Sequence, residues 1–153
     1  TPDRIQVVIR NVGDAAVEAD FWVDVYVDPD PIPTRVNQTW PQVSEQGMVW
    51  GVTADLAPGE RLMLTAGGPY YRPTWSDITW PLAVGTPVYA QVDSANAGTS
   101  YGGALETHEM TGGTYNNVTG TEVAAGALEL DGAASAEVDG VTAEPGRLPP
   151  RPR

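Results

Sequence analysis

The only histidine of this 153-residue chain, His108, lies in ETHEM between Glu106 and Glu109. An imidazole flanked by carboxylates is the start of a metal-ligand set, but one histidine on a short strand is more often an ordinary polar side chain. Nucleophilic catalysis needs an activated Ser, Cys, Thr or Lys beside a base. Cysteine and lysine are both missing here, which excludes most such constellations, and no pair of carboxylates is singled out for glycosidase chemistry. We therefore expect no catalytic residues and a protein that is not an enzyme. A second oxygen-rich cluster, DSANAG, brings Asp93 and Asn96 together, and with Glu106 and Glu109 these are the candidates for calcium ligation. The string lacks the ligand alternation and closing bidentate glutamate of an EF-hand loop. The favoured expectation is no metal and no other cofactor, with Asp93 and Asn96 capping an Asx turn and Glu106 and Glu109 solvated.

The remaining chemistry is recognition. Trp40, Tyr70, Tyr71 and Trp75 fall in or beside long loops, where exposed rings would stack on the C–H faces of a sugar; the competing expectation is that they anchor those loops on the body. Asn37 in NQT and Asn117 in NVT satisfy the N-glycosylation sequon. The formal charge of −12, with arginine supplying every basic residue, argues against nucleic acid or anionic membrane as partner. No apolar run is long enough to span a bilayer and no signal peptide is visible, so we expect either a mature or excised piece or a soluble protein addressed from elsewhere.

The elements that must position these residues are strands. IQVVIR alternates Ile5, Val7 and Ile9 against Gln6, Val8 and Arg10 at period 2 and ends in the turn NVGD. WVDVYVD points Val23, Val25 and Val27 inward and Trp22, Asp24, Tyr26 and Asp28 outward, before the prolines of PDPIPT stop it. An irregular stretch holding Trp40, Met48 and Trp50 follows. LAPGERLMLT is a Pro-Gly turn feeding a strand with Leu62 and Leu64 inward, VYAQVD sets Val88, Ala90 and Val92 on one face, and LETHEM is a short strand. Glycine (17) and proline (14) punctuate these runs and nothing has helical periodicity. The expectation is an all-β antiparallel sandwich.

The order of VVIRNVGDAA, LAPGERLML, and YAQVDSANAG continuing to LETHEMTGGTYNN resembles the bacterial cell-adhesion-related domain called CARDB, over roughly residues 4–118. That resemblance implies an immunoglobulin-like sandwich on secreted or surface proteins, with adhesive or spacing roles and an extracellular or cell-surface location. It rests on Asp93, Asn96, Glu106, Glu109, Asn116 and Asn117 following in the family's order. Family members usually have one more strand ahead of the one equivalent to IQVVIR, and only Thr1–Arg4 precede it here.

We divide the chain at 118, with residues 119–153 as an extended tail. From Thr119 to Glu144 the tail has six carboxylates and no basic residue, too little apolar matter to order itself. Yet ELDG at 129–132 recurs as EVDG at 137–140, which suggests two short strand segments, with Leu128 and Leu130 on one side of the first and Ala136 and Val138 on one side of the second. The closing LPPRPR is polyproline-like and basic, suited to an acidic neighbour. A sandwich lacking its first strand leaves a bare sheet edge, and a tail carrying spare strands can fill it. The expected contact joins Ile5 and Val7 to Leu128, Leu130, Val138 and Val141. If the tail enters the next copy the contact is head-to-tail and builds a homopolymer, a cell-surface filament held by donated strands. The alternative is an adhesive or carbohydrate-binding module with a polysaccharide as partner.

Overall fold

The computed structural model describes residues 5–106, 116–124, 128–134 (backbone only) and 147–152. Two sheets face each other. The first has the order β4-β1-β7, in which β1 (Ile5–Asn11) pairs antiparallel with β4 (Arg61–Thr65) and parallel with β7 (Leu128–Ala134). The second is antiparallel with the order β3-β2-β5-β6, made of β2 (Phe21–Val27), β3 (Gln46–Val52), β5 (Pro87–Val92) and β6 (Val118–Glu122). A one-turn helix α1 (Trp40–Val43) and a 3-10 turn (Pro73–Trp75) lie in the connections.

Between the sheets is an aliphatic core set by the period-2 pattern. Ile5, Val7 and Ile9 from β1 and Leu64 from β4 meet Val23, Val25, Met48, Trp50, Val52, Val88, Ala90 and Val92 from the facing sheet. Trp50 Nε1 donates to Thr65 O at 2.9 Å, a hydrogen bond from one sheet to the other. The NVGD turn is an Asx turn: Asn11 Oδ1 accepts from Gly13 N at 2.9 Å while its Nδ2 donates to Ala15 O and Leu56 O. Pro58 and Gly59 make a type II turn, with Glu60 N donating to Ala57 O and Gly59 at φ 78°.

Three expectations change. The stretch holding Met48 and Trp50 is strand β3, and Trp50 is fully buried in the core. Its outer edge is occupied by the aromatic loop, since Gly51 N donates to Tyr70 O, Arg72 N to Val49 O, and Gly47 and Asp77 exchange both backbone bonds. The loop thereby caps an edge that would otherwise invite pairing. Second, the outward face of β2 is not solvated: Trp22, Asp24 and Tyr26 are as buried as the valines between them. A second apolar layer of Trp22, Tyr26, Trp40, Val43, Val49 and Ala95, with Trp75, Tyr89 and Leu148 against it, covers the back of this sheet. Trp40 lies so close to β3 that a Cβ on Gly47 would fall 2.3 Å from its ring. Third, β6 straddles the division placed at 118; Val118–Glu122 pair with β5 and Val123 is buried in the core, so the tail leaves the body after these residues.

Candidate interaction site: the docked tail

Among the described residues beyond Ala124, the tail meets the body at two places, one on each sheet. On the three-stranded sheet, β7 runs along β1 in parallel register, Ile5 opposite Leu128, Val7 opposite Leu130 and Asn11 opposite Ala134. Four of the six expected contact residues are therefore aligned as pairs, within one chain; Val138 and Val141 lie outside the described residues. β1 has β4 on its other side, so β7 gives it a neighbour on both edges.

The second contact is on the back of the four-stranded sheet, where residues 148–151 enter a slot made by β2, the end of β5 and the 3-10 turn. Leu148 packs on the second apolar layer above Gly51, where a Cβ would come within 2.6 Å of Leu148 Cδ1. Pro149 O accepts from Trp22 Nε1 at 2.7 Å and Pro150 O from Ala97 N at 2.6 Å. Arg151 then forks onto Asp24, Nη1 to Oδ1 and Nη2 to Oδ2, both at 2.5 Å. Its guanidinium carbon is 5.5 Å from the Trp22 ring and 5.7 Å from the Trp75 ring, within cation–π range of both. The side chains of Arg151 and Asp24 are 2% and 0% exposed.

Asp24 is prepared for this visitor by its own neighbours. Trp40 N donates to Oδ2 at 3.0 Å and Ser94 Oγ to Oδ1 at 2.6 Å, which fixes the plane of the carboxylate. A planar fork matches a fixed carboxylate with two parallel bonds, which a lysine ammonium could not do. The expectation of an acidic neighbour for LPPRPR thus resolves to one buried carboxylate, that of Asp24. Sequence reasoning missed Asp24, Trp22 and Ser94. The available signal was the outward face of β2 itself, where Trp22 and Tyr26 bracket an acid that a solvated face would not need to crowd.

The other expected sites fall differently. Asp93 is buried and accepts from Gly103 N at 2.6 Å and Ala104 N at 2.9 Å, pinning the glycine-rich loop to the end of β5. Asn96 makes an Asx turn through Gly98 N and donates to Gly102 O. Glu106, expected in solvent, is 1% exposed, so the start of LETHEM turns into the body instead of running along its surface. Glu109 and His108 lie outside the described residues. Among the described residues no group of three or more His, Cys, Asp or Glu side chains is placed to hold a metal.

Trp40 is no stacking platform: it is 9% exposed and its Nε1 donates to Trp75 O. Tyr70 and Tyr71 are half-buried against the main core, Tyr71 with its ring 5.9 Å from that of Trp50, and Trp75 is half-buried beside Trp22 and Arg151. These rings anchor loops and tail. Neither sequon offers an accessible amide: Asn37 Nδ2 donates to Asn96 O and Thr99 O, and Asn117 is buried at 1% exposure. Comparison with known proteins finds no matching family model, curated protein or solved structure.

Proposed function

We propose that this chain is a structural subunit of an extracellular or cell-surface filament, an immunoglobulin-like domain of the CARDB kind whose copies join head-to-tail by exchanging β7. The observation that carries the reading is the parallel pairing of β7 with β1. In an immunoglobulin sandwich one sheet places strand B between E and A, and the other runs C′-C-F-G. The orders β4-β1-β7 and β3-β2-β5-β6 support a reading of β1 as B, β4 as E and β5 as F. The edge of β1 opposite β4 is taken by β7, which comes from far along the sequence and runs parallel to β1, not antiparallel as strand A does. A strand that completes an edge from outside the body's own order can complete the same edge of a neighbour, with identical backbone bonds. Head-to-tail exchange of this kind does not close on itself and produces a fibre.

The experiment is negative-stain microscopy and sizing of the full chain across a concentration series, beside a variant carrying Glu129→Pro and Leu130→Pro. Two adjacent prolines remove a ladder donor whichever parity β7 uses. The parent chain should form filaments whose length rises with concentration, and the proline variant should stay monomeric with its body folded. Filaments of equal length from the proline variant, or a parent chain that is monomeric throughout, would overturn the reading.

A further inference from the structure

We propose that the slot bounded by Trp22, Asp24, Trp75 and Ala97 is a peptide-recognition site that reads the sequence Leu-Pro-Pro-Arg, and that besides its own tail it takes residues 148–151 of a second copy of this chain. The recognition chemistry stands without strand exchange; the choice of a second copy as occupant rests on that reading.

Each position of the segment meets a feature that rejects alternatives. The leucine fills a hollow opened by Gly51, where a single added methyl would collide with it. The two prolines bring no N–H groups, so at positions 149 and 150 the backbone offers only its two carbonyls. Both are met, by the Trp22 indole N–H and the Ala97 backbone N–H. A peptide with an ordinary residue in place of Pro149, which is buried, would bring in an amide donor that needs a partner of its own. The arginine faces a carboxylate already oriented by Trp40 N and Ser94 Oγ and lies within cation–π range of two adjacent indoles. An aromatic-lined groove with an acid at one end is the general way that folded domains hold extended proline-rich segments, because the polyproline helix loses little entropy on docking.

Reach permits the second copy. Residues 135–146 join β7 to the slot-binding segment and span at most about 40 Å. If β7 of one copy lies on β1 of the next, its Leu148–Arg151 is carried to that same neighbour, whose slot is identical. The neighbour's own segment has then gone forward to the copy beyond, and the slot is filled from behind.

The test pairs a broken key with a broken lock. In the full chain, Leu148→Ala with Arg151→Ala spoils the segment and leaves the slot; Gly51→Ala spoils the slot and leaves the segment. Circular dichroism and melting establish that both are folded. Alone, the two variants should bind no 148–151 segment between copies; mixed, they should form a one-to-one pair in native mass spectrometry. Independently, a labelled peptide with the sequence of residues 147–153 should bind the Leu148→Ala, Arg151→Ala chain saturably below about 1 mM, with a change in tryptophan emission from Trp22 and Trp75. The same peptide carrying Arg151→Gln should bind roughly tenfold to a hundredfold more weakly, the loss expected for a charge-assisted fork.

Absence of saturable binding to the folded vacated chain, or equal binding of the glutamine peptide, overturns the recognition site. Peptide binding without pairing of the mixed variants overturns the second copy as occupant. Filaments from the parent chain together with no peptide binding would leave strand exchange standing and remove only this inference, whereas peptide binding to a chain that never polymerises would keep the recognition site and remove strand exchange and, with it, the second copy as occupant.

Discussion

Replacing Arg151 by alanine should destabilise the folded chain by about 3 kcal/mol, and the number follows from two opposing limits. Removing one partner of a buried ion pair costs roughly 3–5 kcal/mol because the other charge is left in a dry site. Asp24 is fully buried and would keep only Trp40 N and Ser94 Oγ as donors. Against this stands an escape. Residues 147–152 can leave the slot, regain backbone freedom of about 1 kcal/mol per residue and let water reach the carboxylate. The loss is therefore capped by what docking of the segment contributes, which places it at the lower end of the range. For a chain of this length about 3 kcal/mol corresponds to a fall in melting temperature of roughly 6–12 °C. Thermal melts should be read beside urea titrations followed by tryptophan emission, since Trp22 and Trp75 flank the guanidinium. The double variant Asp24→Asn with Arg151→Gln, which leaves no lone charge, should be more stable than Arg151→Ala alone. A melting temperature within about 1 °C of the parent, or a double variant less stable than the single one, would refute a buried and coupled pair.

Asn37→Ala should cost about 2–3 kcal/mol, because Asn37 sits at φ 67° and its amide bonds Asn96 O, Thr99 O and, through Oδ1, Asn96 N; a urea midpoint shifted by less than a tenth of the parent value would contradict this. Trp50→Phe removes the bond from Nε1 to Thr65 O that crosses between the sheets, and should lower stability by at least about 1 kcal/mol with an unchanged urea slope; a reduced slope would show a looser native state instead.

Four strands of the body were legible because each carries an undisturbed period-2 run: Ile5-Val7-Ile9, Val23-Val25-Val27, Leu62-Leu64 and Val88-Ala90-Val92. β3 was not. Its sequence QGMVWGV has glycine at two positions of one face, and glycine weakens the strand signal. Those glycines are there because Trp40 lies on Gly47 and Leu148 on Gly51, contacts from distant parts of the chain that no local pattern announces. The same cause hid the back of β2. Alternation tells which residues share a face, and Trp22, Asp24 and Tyr26 do; whether that face meets water depends on what else arrives, here α1, the 3-10 turn and residues 148–151. The tail was judged too poor in apolar groups to order itself. That judgement describes the tail alone and leaves out partners already fixed in the body.

Those partners explain how so acidic an extension is held. The body has a strand, β1, with an edge beyond the reach of its own sheet order, and a carboxylate, Asp24, sealed under aromatic rings. Each would be costly if left bare, the edge through its unpaired backbone groups and the carboxylate through lost hydration. The tail supplies a backbone to the first and a guanidinium to the second, so its docking draws on partners oriented before it arrives and asks little of its own side chains. The two contacts lie on different sheets and are linked by residues 135–146, so losing one leaves the other holding. Passage of a tail from its own body to a neighbour then requires two releases, and the slower of them sets the rate at which copies could exchange. Loosening the slot by Gly51→Ala should speed that passage without touching β7, whereas the paired prolines at 129 and 130 should stop it while the slot stays filled.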